Sequence, residues 1–345
     1  MSVVTMMDVA QAAKVSRTTV SMVLNGTDEK WRISDKTREH ILSTAERLGY
    51  RKNLIARSMV TGRTNVIGIV GTLDHSFGAD ILRGISEIAG NDAYSIKYFR
   101  GETNEELAEI AKACVGQRLS GVISHIDEFD SNLSSELSGA KIPMVHVDNI
   151  FPDALSSCVC SDDFSGAEQV VEHLYNLGHR KISYVTTALN HLYAKIRYDG
   201  FLAGMEKYGL KFDNTQLGLT DFKTEITNDF RKIIAKIINS EVTAVFCSGD
   251  PLAVKVLKIA VEDGIKIPEE LSIVGFADLD YAQWSVPALT TVRQPFVEMG
   301  RVATKILLSE INDKAPCRKI KLPIELVVRQ STAKVPSEKH RNKKG

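Results

Sequence analysis

The chain has 345 residues, 43% of them hydrophobic and 25% charged, with 43 basic and 43 acidic side chains. That length predicts about two to three domains, and the composition is that of an ordinary globular protein rather than a disordered or fibrous one. No apolar run reaches the ~18–20 residues of a membrane span. The opening MSVVTMMDVAQ lacks the basic and apolar regions of a secretory signal, so a cytoplasmic protein is expected.

The zero net charge hides an uneven distribution. Residues 1–62 carry ten basic and six acidic side chains, and residues 334–345 carry five and one. The stretch between them is therefore acidic. A basic head on an acidic body predicts two tasks, one of them at a polyanion. The five cysteines (Cys114, Cys158, Cys160, Cys247 and Cys317) are dispersed and form no C-x-x-C, which reads as reduced core thiols with no metal site.

In chain order, Thr5-Met-Met-Asp8 has the form of a capping box, followed by the apolar stripe Val9, Ala10 and Ala13. Lys14-Val15 makes a tight break. Ser16 is placed to cap a second helix, with Val15 stapled onto Val20. Val20, Val23 and Leu24 share one face of that helix, and Arg17, Thr18, Ser21, Met22 and Asn25 share the other. Asn25-Gly26 ends it. A third helix is predicted to start at Ser34, bury Ile41, Leu42, Ala45 and Leu48, and stop at Gly49. Two short helices across a tight turn, then a third, describe a helix-turn-helix. The guanidinium, hydroxyls and amide near the start of its second helix suit contact with base edges and phosphates.

From Asn65 onward, short apolar runs alternate with amphipathic segments. VIGIVG, YSIKYF, GVIS and PMVHVD read as buried strands, with helices over 79–90, 104–117 and 164–178. KISYV, TAVFCS and LSIVGF continue the strands, with helices over 194–209, 224–239 and 251–264. This alternation predicts α/β architecture with parallel sheets.

The stretch MMDVAQAAKVSRTTVSMVLNG, followed by ISDKTREHILSTAERLGYRKNLIARSMVTGRTNVIGIV, resembles the head and linker of the lactose/galactose-repressor family of bacterial transcription regulators. SDDFSGAEQVVEHLYNLGHRKISYV, RYDGF, TAVFCSGD, GIKIPEELSIVGFADLD, PALTTVRQPFVEMGRVATKILL and LPIELVVRQST continue the likeness in family order, from about residue 5 to residue 332. The resemblance implies an N-terminal all-α helix-turn-helix head on an α/β, periplasmic-binding-protein-like body of two doubly wound lobes. The implied divisions are a head over 1–52, a hinge over 53–62, an N-lobe over 63–162 and 291–322, a C-lobe over 163–290 and 323–333, and a basic disordered tail over 334–345. Chain crossings between lobes are expected near 161–163, 290–293 and 320–323.

The resemblance also implies roles for particular residues. Arg17, Thr18 and Met22 would read bases, Arg17 by a bidentate pair with guanine and Met22 against a thymine methyl. Ser16, Thr19, Ser21 and Asn25 would contact phosphate. Residues 53–60 resemble the family's hinge helix, which folds on binding and wedges into the minor groove of DNA. Met59 stands where relatives usually have Leu, with Ala56 allowing close approach and Arg57 reaching phosphate. Lys52 replaces the usual Pro.

An effector cleft is expected at the carboxyl ends of the strands. Arg197 would grip a ligand hydroxyl or carboxylate, and Phe222 would face a sugar or base ring. His75, Ser76 and Phe77 form the loop after the first strand. Asp148 and Asp163 fit either ligand contact or hinge hydrogen bonds. Asp250 fits either a ligand hydroxyl or a helix cap, and Asp278 lies on the cleft floor. Two departures stand out: Gly249-Asp250 replaces the common Asn-Asp, and Ala277-Asp278 the common Asp-Asp or Asp-Asn. They imply an atypical sugar, a sugar acid, a less polar ligand, or a vestigial pocket answering to a protein co-regulator.

The implied function is a repressor that binds a palindromic operator as a homodimer, with a carbohydrate or related metabolite as effector and no cofactor. An enzyme on the same body has no support: no Gly-rich nucleotide loop, no nucleophile elbow and no H-E-x-x-H occurs, and His173 and His179 straddle Gly178. A transport-type binding protein is disfavoured by the helix-turn-helix. The tail has no apolar heptad, which favours a dimer over a tetramer.

Overall fold

The computed structural model describes residues 4–24, 33–51, 64–73, 77–126, 128–151, 154–220 and 225–335. The chain forms two compact units, Met1–Thr64 and Asn65–Gly345.

In the first unit, helix α1 (Met6–Ala13) begins with a complete capping box. The Thr5 backbone N–H donates to Asp8 Oδ2 at 2.7 Å and the Asp8 N–H donates back to Thr5 Oγ1 at 3.4 Å. The chain turns at Lys14, whose φ of 53° is left-handed. It re-enters helix at α2 (Arg17–Leu24), where the Thr19 N–H donates to Ser16 Oγ at 3.0 Å, an N-cap in the expected place. Helix α3 (Asp35–Arg47) is capped by Ser34. Val9, Ala10, Ala13, Val20, Val23, Ile41 and Ala45 form the core of the three helices, with Leu48 packed against it. Leu42 was expected in that core and is instead 43% exposed. The buried positions 41, 45 and 48 follow the i, i+4, i+7 spacing of one helical face, and residue 42 is turned about 100° away from them.

The second unit contains two six-stranded sheets. Strands β1 (Val66–Gly71), β2 (Ser95–Arg100), β3 (Gly121–His125), β4 (Met144–Val147), β5 (Ser157–Ser161) and β11 (Lys319–Leu322) make the first, in the order β11-β5-β4-β3-β1-β2. Strands β6 (Ile182–Thr186), β7 (Leu217–Leu219), β8 (Ala244–Cys247), β9 (Ser272–Ala277), β10 (Thr290–Arg293) and β12 (Glu325–Val327) make the second, in the order β12-β10-β9-β8-β6-β7. All pairs are parallel except β10 with β12. The connecting helices are α4 (Gly78–Asn91), α5 (Asn104–Gly116), α6 (Ser131–Gly139), α7 (Asp163–Asn176), α8 (Leu192–Lys207), α9 (Asn228–Ile238), α10 (Asp250–Glu262), α11 (Asp280–Trp284) and α12 (Phe296–Asp313). Strands flanked by helices on both faces are buried along their length, as VIGIVG, GVISH and SIVGFA are. Strand β2 was expected to be buried in the same way, and is not. It is the edge strand of its sheet and largely exposed.

Among the described residues the chain crosses between the sheets three times: at Asp162, between β5 and α7; at 294–295, between β10 and α12; and at 323–324, between β11 and β12. Residues 290–293, expected as a crossing, are instead a strand hydrogen-bonded to β9 and β12, so the division placed at 290/291 falls inside the second sheet. Residues 320–322 likewise belong to a strand, paired with β5. The backbone groups of both runs are taken up by pairing with neighbouring strands, so neither run is a linker. Helices α4 and α12 cover one face of the first sheet and cross at Gly84 and Gly300, where a Cβ on either would run into a backbone carbonyl of the other helix. Ile81, Ile85, Met299, Ala303 and Leu307 fill the space around that contact.

Candidate functional site

In the head, the exposed face of α2 is the candidate nucleic-acid surface. Arg17 and Thr18 are exposed and Ser21 and Met22 half-buried, while Val20 and Val23 face the core. The Ser16 hydroxyl accepts from the Thr19 N–H and lies 2.8 Å from Thr19 Oγ1. Both hydroxyls therefore hold the start of α2 in place while remaining at its surface. Asn25, and Ala56, Arg57 and Met59 of the expected hinge, lie outside the described residues.

In the body, the strands of both sheets point their carboxyl ends at one cavity of about 250 Å³. From the first sheet it is lined by Phe77, by His125 at the end of β3, and by Asp148 and Asn149 after β4. From the second sheet come Thr187, Ser248, Gly249, Phe276 and Ala277, each at or just beyond a strand end, with His191, Tyr193 and Arg197 from α8 and its approach. Gln294, at the second crossing, completes the wall. Clefts at strand carboxyl ends are where open α/β sheets bind ligands. Two residues lining the cavity have positive φ without being glycine, Asp148 (71°) and Ala277 (123°), as has Asp278 (57°) directly after Ala277. Such strain persists where surrounding structure enforces it, and it gathers at functional sites.

Arg197 is the centre of the polar network, with only 6% of its surface exposed. Its Nε donates to Asp163 Oδ2 at 2.7 Å, Nη1 to the Ser248 carbonyl at 2.6 Å and Nη2 to Gln294 Oε1 at 3.0 Å. The guanidinium also lies 4.0 Å from the centre of the Phe276 ring and 5.2 Å from that of Tyr193. Burial works against the arginine's charge, but Asp163 and Asp148 outweigh it and raise its pKa. Burial, with Asp148 nearby, leaves the Asp163 carboxyl raised above the usual carboxylate range, although the guanidinium and the Ser161 hydroxyl pull against it. The charged pair is the state this geometry supports. Gln294 Nε2 donates to Ser161 Oγ at 2.8 Å and to Asp163 Oδ1 at 3.3 Å, with Asp148 Oδ1 at 3.5 Å. One side chain at the crossing thus ties together residues on both sheets. His125 Nε2 lies 3.6 Å from Asp148 Oδ2.

Of the expected effector residues, Phe77, Asp148 and Arg197 line the cavity. His75, Ser76 and Phe222 lie outside the described residues. The remaining three carboxylates stand behind the wall. Asp163 pairs with Arg197. Asp250 accepts from Thr291 Oγ1 at 2.5 Å and from the Leu279 N–H at 2.8 Å, and burial raises its pKa to about 6. Asp278 pairs with Arg329 at 2.6 Å and Arg293 at 2.8 Å. These two brace β9 and β10, and their oxygens are spent on protein donors. Sequence reasoning missed His125, Asn149, Thr187, His191, Tyr193, Ser248, Phe276 and Gln294. Most follow strand ends, so the strand-end rule was the available signal.

Four cysteines are buried and Cys317 is exposed, where core thiols were expected. No group of metal-ligating side chains occurs among the described residues, nor is any described helix long and apolar enough to cross a membrane.

A helix-turn-helix head on a two-sheet body with a strand-end cleft defines a DNA-binding regulator built on a periplasmic-binding-protein-like fold. Residues 5–53 match the bacterial regulatory proteins of the lacI family, and residues 171–332 match the periplasmic binding protein-like domain. The chain is 30% identical over 340 residues to the HTH-type transcriptional repressor PurR of Haemophilus influenzae, covering 96% of this chain and 99% of that protein. Among solved structures it is similar to the transcriptional regulator CelR in complex with cellobiose (25% identity, 95% of this chain and 99% of that one, TM-score 0.71). It also shares the fold of the lac repressor dimer bound to operator and the anti-inducer ONPF (23% identity, 96% and 100%, TM-score 0.80). The chain belongs to the lacI family of bacterial regulatory proteins.

Proposed function

We propose that the chain is a repressor that binds a two-fold symmetric operator as a dimer and changes its DNA affinity when a small molecule occupies the cleft. The observation that carries this reading is the pairing, in one chain, of an α2 face exposing Arg17 and Thr18 with a strand-end cavity organised around Arg197. Arg17, Thr18 and Met22 would read base edges in the major groove. Ser16, Thr19, Ser21 and Asn25 would contact phosphate, and Ala56, Arg57 and Met59 the minor groove. A two-fold dimer presents two such helices one helical turn apart, which requires matching half-sites. Trp284 and Val286, 70% and 84% exposed at the end of α11, support a second copy as partner, since adjoining exposed apolar side chains mark interaction surfaces.

The CelR–cellobiose complex and the PurR relatives support a carbohydrate or related metabolite as effector. A cavity with Asp148, Asn149 and Thr187 on its wall supports a small molecule over a pocket that has lost its ligand to a protein co-regulator. Coupling between cleft and DNA is bounded by the effector's differential affinity for the two states, typically ~1–3 kcal/mol. Titration of DNA flanking the gene, with and without candidate effectors, tests the reading. A change in operator affinity supports it, and identical curves with a bound effector end the allosteric claim.

A further inference from the structure

A second cavity of about 290 Å³ lies beside the first. Leu252, in the first turn of α10 and 3% exposed, lines both. Thr187 lines the first cavity and the next residue, Ala188, the second. The two spaces therefore adjoin at the carboxyl end of the second sheet, with Leu252 as a wall residue common to both. Each alone falls below the ~300 Å³ lower end of ordinary ligand pockets, and together they pass it.

Their chemistries differ. The first is walled by the rings of Phe77, Tyr193, Phe276 and the two histidines. His191 Nδ1, beside it, is buried with no hydrogen-bond partner among the described residues. The second is lined by Thr220, Thr227, Glu225, Asp229 and Lys255. Arg197 is neutralised by Asp163, leaving Asp148 as the carboxylate facing the first space. Two carboxylates face one ammonium in the second. Neither space favours an anion.

We infer that the two cavities are one divided effector site for an uncharged ligand of two parts, a flat ring joined to a hydroxylated ring. The flat ring packs among the aromatic walls and receives or donates a hydrogen bond at His191. The hydroxylated ring lies among the threonines and carboxylates. Leu252 is the partition that must swing aside, so its size sets the length of ligand accepted. An aryl glycoside and a nucleoside share this chemistry. The inference rests on the cleft being the effector site, and it argues against the sugar acid that the sequence left open.

The test is calorimetric titration of the full chain with 4-nitrophenyl β-D-glucoside, 4-nitrophenyl β-D-galactoside and adenosine as two-part probes. Methyl β-D-glucoside and adenine serve as one-part controls and 4-nitrophenyl β-D-glucuronide as the anionic control. At least one two-part probe should bind ten or more times tighter than its one-part control, as a tenfold ratio corresponds to about 1.4 kcal/mol. The glucuronide should bind about tenfold more weakly than the glucoside, by the same measure. Glycoside or adenosine as the winner identifies the source. Ala188→Phe, at an exposed position, should cut two-part binding about tenfold or more without changing one-part binding, because it fills only the second space. Leu252→Ala should tighten two-part binding. Failure of every two-part probe, equal binding of the one-part controls, preference for the glucuronide, or indifference to Ala188→Phe overturns the inference. Operator binding measured on the same samples separates the outcomes: if it persists while the probes fail, only the divided site falls.

Discussion

Replacing Asp163 by Asn tests whether the Arg197 network locks the cleft. The carboxylate receives Arg197 Nε at 2.7 Å, and both side chains are at most 10% exposed. Asparagine keeps the shape and removes the charge, leaving a guanidinium buried against the Ser248 carbonyl and Gln294 without the counter-ion it is hydrogen-bonded to. Breaking one side of a buried pair costs about 3–5 kcal/mol, several times the ~0–1 kcal/mol of a surface pair. Urea unfolding followed by far-UV circular dichroism reads the loss, since most helices and all described strands lie in the body. The double variant Arg197→Met with Asp163→Leu should recover much of it, because it leaves no buried charge behind. A loss below about 1 kcal/mol for Asp163→Asn would refute the reasoning, as water would then be solvating Arg197 and the pair would behave like one at the surface.

Three further outcomes follow from the same geometry. Gly300→Ala should cost about 1–3 kcal/mol in the same urea assay by forcing α12 away from α4, and an unchanged midpoint would mean the helices have room to part. Burial holds His146 and His179 at pKa values of about 4, against 6.5 for an unburied ring. Between those values the unfolded chain binds more protons, so stability is complete above about pH 6.5 and falls by about 2 kcal/mol per histidine on reaching pH 5. Asp250, raised to about 6, gains protons on folding over part of that range and returns about 1 kcal/mol. Urea midpoints at the two pH values check the sign, and equal or higher stability in acid contradicts it. Trp284→Glu should shift sedimentation from dimer to monomer and weaken operator binding together, whereas an unchanged sedimentation coefficient would remove α11 from the dimer surface.

The alternation of apolar runs and amphipathic segments was enough to read the α/β body, and the head was legible down to its caps at Thr5, Ser16 and Ser34. The cleft was legible as a place, since strand carboxyl ends carry it, but its membership was only partly so. Asp250 and Asp278 carry the same side chain as Asp148 and follow strands as it does. What separates them is the presence of Thr291, Arg293 and Arg329 on neighbouring segments, partners up to about fifty residues distant in sequence. Nothing local marks a carboxylate as already spent. Gln294 was passed over for the related reason that its four partners, Asp148, Ser161, Asp163 and Arg197, lie on segments far from it in sequence. The strand over 290–293 was mistaken for a crossing because four residues between helix-forming stretches fit either role until pairing decides.

The most direct measurement of the central claim is fluorescence anisotropy of an operator fragment from the gene's own upstream region, titrated across a range of salt. The account predicts that Arg17→Ala lowers affinity for that fragment by about 1–3 kcal/mol while barely changing affinity for random duplex, and that deleting residues 1–62 abolishes both. Equal losses on operator and random DNA, or undiminished binding by the headless chain, would contradict it.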